Sequence, residues 1–204
     1  MILRWTVLAA VAAVAAGAAF AQTPADKTPG TPASQDQEYV RQSLAASSLS
    51  LAISRIAARK AHVDDLKEFA RLEESEQETL VDILTSLPAQ NASLKVGTVR
   101  RPGDAEVEQK LDQRGRQVLE QLRAEAAGAE FDRDYMGALA TGHLELLRIQ
   151  ETYLDSGQNN ANLVNVAKLT RGIIKEHLRL LADVESELEA SSATTGAAPG
   201  KNRE

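Results

Sequence analysis

The chain has 204 residues, and it lacks cysteine and is poor in aromatic side chains, which make up 3% of it. The absence of cysteine excludes disulfide bonds, thiol nucleophiles and metal sites that use thiolate ligands. Charged residues make up 25% and hydrophobic residues 43%, with a net charge of −6. A chain this acidic has no basic stripe to neutralise phosphates, so the sequence argues against a nucleic-acid partner.

The first 21 residues have the pattern of an export signal. Arg4 supplies a positive amino-terminal end, an uncharged apolar run follows it, and Ala19-Phe20-Ala21 forms a cleavage site of the small-x-small type. The run is shorter than a transmembrane helix needs, and it ends in the cleavage motif. We therefore predict a periplasmic or secreted protein that begins at Gln22 and carries no transmembrane anchor in its mature form.

The six prolines divide the rest of the chain, because they leave two long proline-free stretches, 33–87 and 103–198, free to be helical. Residues 22–36 are rich in Thr, Pro, Ala and Ser and have little to bury, which is typical of a disordered leader. The composition of 191–204 is similar. The predicted organisation is a signal peptide (1–21), a leader (22–36), one helical domain (37–190) and a disordered tail (191–204).

Apolar residues at three- and four-residue spacing predict four long helices. The first runs from about Glu38 to Ala61, and the second from Asp64 toward Pro88. The third follows Gly128 and ends near Asp155, and the fourth begins after an Asn159 or Asn160 cap. A loop over 88–103 and one shorter helix centred near Gly115 connect the two pairs. The predicted fold is therefore all-α, a ferritin-like four-helix bundle with an extra short helix in the crossover connection.

Three of the predicted helices place polar side chains on their apolar faces. His143 stands between Leu139 and Leu146, and His177 stands in the middle of the fourth helix's apolar stripe. Glu73 and Gln77 interrupt the apolar face of the second helix. Imidazole and carboxylate groups from facing helices are the ligands of di-iron and di-manganese bundles, so His143, His177 and Glu73 are candidate ligands for iron or another divalent transition metal.

The spacing around the histidines favours a structural hydrogen-bonded network over a metal site. Di-metal bundles use Glu-x-x-His, but Ala140 and Ile174 stand three residues before the two histidines. Glu145 and Glu176 lie close in sequence and are expected to point to other faces. No motif for a serine or cysteine nucleophile is present, so we expect no enzymatic activity.

Several segments resemble an exported bacterial ferritin-like family described as domain of unknown function 4142. The most specific is Phe131-Asp132-Arg-Asp-Tyr135 followed by His143, and the stretch from Ala167 to His177 is also similar. The resemblance implies an exported four-helix bundle without an established activity. It also implies a glutamate on the first helix and a histidine late on the second, and Ser50 and Gln77 stand at those positions here.

Two hypotheses for function follow. The first is a non-enzymatic exported bundle that needs no cofactor and acts by interaction with a partner in the bacterial envelope or at the surface. The second is a ferritin-like metal-binding protein that uses His143, His177 and Glu73.

Overall fold

A computed structural model describes residues 32–87, 98–158 and 160–196, with side chains between residues 33 and 186. Within these ranges the chain is helical and contains no strand. The helices are α1 (Pro32–Lys60), α2 (Asp64–Ser86), α3 (Asp104–Gln109), α4 (Gln113–Ala124), α5 (Ala129–Asp155) and α6 (Ala161–Gly196). The predicted signal peptide and most of the predicted leader and tail lie outside the described residues. None of the helices in the described ranges is both long and apolar enough to cross a membrane.

The α1–α2 connection is held by a buried carboxylate from α5. The side chain of Asp132 is 1% exposed and accepts hydrogen bonds from the backbone N–H groups of His62 at 2.9 Å and Val63 at 3.0 Å. These N–H groups lie at the sharp change of direction between two helices, where no helical carbonyl can reach them. One side chain therefore closes the first hairpin and attaches it to α5.

Replacing Asp132 by alanine is expected to lower the free energy of unfolding by about 2–3 kcal/mol, because it leaves two backbone donors without their acceptor. The melting temperature should fall by about 4–8 °C. Asp155→Ala is the control, since this carboxylate is exposed at the end of α5 and its loss should change stability by less than about 0.5 kcal/mol. Thermal unfolding followed by circular dichroism measures both, and an equal effect of the two substitutions would contradict the assignment.

The α5–α6 connection follows the local signals in the sequence. Gly157 has φ of 73°, a left-handed conformation that glycine adopts without strain at the end of a helix. The side-chain oxygen of Asn160 accepts a hydrogen bond from the N–H of Leu163 at 3.4 Å, so Asn160 is the predicted cap.

The long helices pack as two connected hairpins. Helix α1 packs against α2 and α5, α5 packs against α6, and α3 and α4 cover α1. The backbones of α2 and α6 approach each other less closely than these pairs do. Contact between α2 and α6 therefore depends more on side chains that reach across the interior.

The apolar interior is divided into two clusters. On α5, Leu139 belongs to one cluster and Leu146 to the other, and on α6 the same holds for Leu181 and Ile174. His143 and His177 lie between the members of each pair. A polar layer thus separates the two halves of the core.

Two predicted boundaries differ from the structure. Helix α1 begins at Pro32 rather than Glu38, because Asp36 accepts hydrogen bonds from Tyr153 at 2.6 Å and Asn160 at 2.9 Å, contacts between distant parts of the chain. Helix α6 continues to Gly196, into the predicted tail. The single short helix predicted around Gly115 is two helices, α3 and α4. The chain breaks there because the Asp112 carboxylate accepts a hydrogen bond from the N–H of Gly115 at 2.7 Å and starts α4 anew.

Candidate metal centre

Glu73 from α2, His143 from α5 and His177 from α6 meet in the polar layer between the two apolar clusters. The exposed fraction is 0% for Glu73, 0% for His143 and 6% for His177. They are the three residues that the sequence analysis selected as candidate ligands. In the part of the chain that the structure describes, they form the one group of three or more histidine and carboxylate side chains that is able to hold a metal ion.

One atom of each side chain points to a common position. Nδ1 of His177 lies 2.8 Å from Oε2 of Glu73, and Nε2 of His143 lies 3.4 Å from the same oxygen. The two imidazole nitrogens are 3.2 Å apart and share a hydrogen bond. Nitrogen and oxygen ligands about 2.1 Å from one ion, at angles between 90° and tetrahedral, lie about 3.0–3.4 Å from each other. The spacing of the three atoms is therefore close to that of ligands on one ion.

The outer nitrogen of each imidazole has an acceptor that fixes its proton. Nδ1 of His143 lies 3.0 Å from the carbonyl oxygen of Leu139, which has no hydrogen to donate, so this nitrogen is the donor. Nε2 of His177 lies 2.9 Å from Oε2 of Glu76, and this carboxylate accepts the proton of Nε2 in a hydrogen bond. A neutral imidazole carries one N–H, so the inner nitrogens then present lone pairs. Such outer partners commonly orient the histidines that bind metal ions.

Without a proton on Nδ1 of His177, three electron-rich atoms would face each other in a buried layer. Oε2 of Glu73 lies 2.8 Å from Nδ1 of His177, the distance of a close ion pair, whereas Oε1 of Glu73 has no hydrogen-bond partner among the described residues. Buried carboxylates are costly without a partner. A cation between the three atoms removes both the repulsion and this cost.

The pKa values show how the metal-free site responds to this arrangement. Burial raises the pKa of Glu73, but the approach of His143 and His177 outweighs burial and brings the pKa to about 2. Burial lowers the pKa of His177, but Glu73 and Glu76 outweigh it and bring the pKa to about 10. At neutral pH the metal-free centre therefore holds an ionised Glu73 beside a protonated His177.

Glu76 is a functional residue that the sequence analysis missed. Its side chain is 43% exposed, so it does not interrupt the apolar face of α2 and gave no signal there. The available signal was its spacing, because residues three apart on a helix lie side by side. Glu145 and Glu176 were expected to point away from the histidines, and both are exposed.

A family model described as domain of unknown function (DUF4142) matches residues 21–184. The chain belongs to the DUF4142 family. Neither a curated protein nor a solved structure matches the chain. The family match confirms the resemblance to domain of unknown function 4142 that was stated from the sequence.

The residues that carried the DUF4142 resemblance have clear structural positions in this chain. Phe131 is fully buried, Asp132 holds the α1–α2 connection, and the hydroxyl of Tyr135 lies 2.9 Å from that of Ser54 on α1. The Phe-Asp-x-x-Tyr element therefore attaches α5 to the first hairpin. This attachment sets the position of α5, and with it that of His143 two turns further along.

Ser50 and Gln77 stand where the DUF4142 resemblance implied a glutamate and a histidine, and both lie in the interior. Ser50 is 2% and Gln77 is 4% exposed. Ser50 faces Gly142, the residue before His143, because a Cβ added at this glycine would lie 3.6 Å from the Ser50 hydroxyl. Gln77 lies one turn after Glu73 on the same face of α2, and its Oε1 has no hydrogen-bond partner among the described residues.

Proposed function

We propose that this DUF4142 protein binds one divalent transition-metal ion through Glu73, His143 and His177, inside a ferritin-like four-helix bundle. One observation carries the proposal. Three buried acceptor atoms from three helices lie 2.8–3.4 Å apart, while the outer nitrogen of each imidazole is turned to a separate acceptor. The Glu-x-x-His motif of di-metal bundles is missing here. The convergence of these three atoms nevertheless supports a site for one metal ion.

A purely structural hydrogen-bonded network accounts for these atoms less well. A proton on Nδ1 of His177 is shared with one inner partner at a time, and Oε1 of Glu73 has no hydrogen-bond partner among the described residues. Buried polar groups in native proteins are almost always satisfied. A metal ion is in contact with all three atoms at once and needs no hydrogen on any of them.

The type of donor selects the class of metal. Two imidazoles with one carboxylate suit iron, zinc, copper or nickel better than calcium or magnesium, which prefer oxygen ligands. Iron is the metal that a ferritin-like fold suggests, and the donor set alone does not choose between it and its neighbours. The proposal is one of metal binding and includes no catalytic step.

The position of the ligands gives metal binding a mechanical consequence. Glu73 lies on α2 and His177 on α6, two helices whose backbones approach each other less closely than those within each hairpin. An ion bound by both residues therefore joins α2 of the first hairpin to α6 of the second. Because the unfolded chain does not present the three ligands together, metal at about 100 times its Kd should stabilise the fold by about 2.7 kcal/mol.

The proposed compartment is the periplasm or the exterior, and it depends on the predicted signal peptide. A partner in the bacterial envelope stays a prediction, and the metal centre neither requires nor excludes it. Export would place the protein where it meets metal ions directly from the surroundings.

The proposal is tested by equilibrium dialysis of tag-free mature protein, residues 22–204, against Co²⁺, Zn²⁺ and Fe²⁺, with elemental analysis of the retained metal. We expect about one ion per chain in the wild type and none in the His143→Ala/His177→Ala double variant. His62→Ala is the matched control, because His62 is an exposed histidine outside the centre. Circular dichroism verifies that each variant is folded. Equal metal retention by the double variant and the control would refute the proposal.

A further inference from the structure

We infer that the ion held by Glu73, His143 and His177 also binds one small exogenous ligand, water or a small anion such as azide or formate, beside Gln77. This inference rests on the proposed function and adds the class of ligand that the centre accepts. It is carried by the spacing of the three donors, by the absence of a fourth in the described residues, and by the polar groups next to them.

The three donor atoms would approach a bound ion from one side. Three ligands in a plane around an ion at about 2.1 Å would lie about 3.6 Å apart. All three distances here are shorter, at 2.8, 3.2 and 3.4 Å. Oε2 of Glu73 and the two nitrogens would therefore hold an ion from one side and would leave it able to accept a further ligand.

No other histidine or carboxylate in the described ranges joins the three donors on that opposite side. The carboxylate of Glu76 contacts Nε2 of His177, the nitrogen that points away from the common position. Transition metals with three protein ligands characteristically complete their coordination with water or a substrate, whereas purely structural zinc sites have four protein ligands.

Buried polar atoms without protein partners lie on α1 and α2 in the described residues. Gln77 is 4% exposed, and helix geometry places its Cβ about 5–6 Å from that of Glu73. Its Oε1, Oε1 of Glu73 and the hydroxyl of Ser47 have no hydrogen-bond partner among the described residues. Ser47 lies one turn before Ser50, which faces Gly142 beside His143.

Buried polar atoms without protein partners are commonly satisfied by water or a bound ligand. Coordinated water donates hydrogen bonds, and Oε1 of Gln77 and Oε1 of Glu73 are acceptors. A small anion would instead receive a hydrogen bond from the amide nitrogen of Gln77. The same side chain thus serves either ligand.

The test is an azide titration of cobalt-loaded mature protein, followed by the visible absorption of Co²⁺. We expect a saturable spectral change with one azide per cobalt. Gln77→Leu should weaken azide binding by about tenfold, because it removes the hydrogen bond to the ligand. Gln77→His should retain cobalt and abolish the azide response, because an imidazole from the same face of α2 takes the ligand's position. Glu68→Gln, an exposed change on α2, should bind azide like the wild type.

The outcomes separate this inference from the proposed function. A protein that binds no cobalt refutes both. A wild-type protein that binds cobalt at the three ligands but shows no spectral change with azide refutes the exogenous ligand alone. Unchanged azide affinity in both Gln77 variants, with circular dichroism showing that they are folded, would refute the location beside Gln77.

Discussion

Replacing Glu73 by glutamine is expected to weaken metal binding by more than about a hundredfold. Loss of an outer partner of a metal-binding histidine typically costs 10- to 100-fold in affinity, and loss of a ligand should cost more. Glutamine keeps the size of the side chain but removes the negative charge that balances the ion in a buried layer. The affinity is measured by competition with a coloured chelator, using cobalt or zinc.

Glu68→Gln is the matched control for this prediction, because it makes the same chemical change on the same helix at an exposed position. It should change the affinity by less than about twofold. Glu76→Gln should fall between the two, because the amide still accepts a hydrogen bond from His177 but no longer carries its charge. If Glu73→Gln binds metal with the affinity of the wild type, Glu73 is not a ligand, and the proposed function is contradicted.

Metal affinity is expected to rise about tenfold for each pH unit between pH 6 and 8. Because Glu73 and Glu76 outweigh burial and raise the pKa of His177 to about 10, the metal-free protein is protonated there throughout this range. The ion must displace that proton from Nδ1. Glu73 releases no proton on binding, since its pKa is about 2. Competition titrations at pH 6, 7 and 8 and constant ionic strength measure the slope.

The sign follows from linkage. In the metal-free protein, the raised pKa of His177 stabilises the fold fully below about pH 6.5, and this contribution is lost as the pH rises through 10. The lowered pKa of Glu73 stabilises it above about pH 4.5, and this contribution is lost as the pH falls toward 2. The metal ion competes with the proton on His177, so metal affinity rises as the pH rises. A metal affinity that does not change between pH 6 and 8 would contradict the prediction. It would mean that metal binding displaces no proton from His177.

The local parts of the fold were predictable from the sequence, and the parts that depend on distant contacts were not. Gly157 and Asn160 mark a helix boundary by their own conformational preferences. The start of α1 at Pro32 is set by the contacts of Asp36 with Tyr153 and Asn160, which no local pattern contains. The break between α3 and α4 was missed although its signal is local, because the Asp112 carboxylate caps α4 by accepting a hydrogen bond from the N–H of Gly115, three residues later.

The candidate ligands were predictable, but their convergence was not. Glu73, His143 and His177 interrupt apolar faces, which is visible in the sequence. The spacing test looked for a carboxylate on the same helix as each histidine. In the structure one carboxylate from α2 approaches both histidines, at 2.8 and 3.4 Å. This arrangement depends on how three helices are rotated against each other, and such rotation is fixed only by packing in the whole fold.

The most direct test of the central claim is the crystal structure of the cobalt-loaded mature protein, with diffraction data collected on both sides of the cobalt absorption edge. The account predicts one strong anomalous peak per chain within about 2.0–2.3 Å of Oε2 of Glu73, Nε2 of His143 and Nδ1 of His177. Cobalt bound only to surface carboxylates, with His143 and His177 joined by an ordinary hydrogen-bonded network, would contradict it.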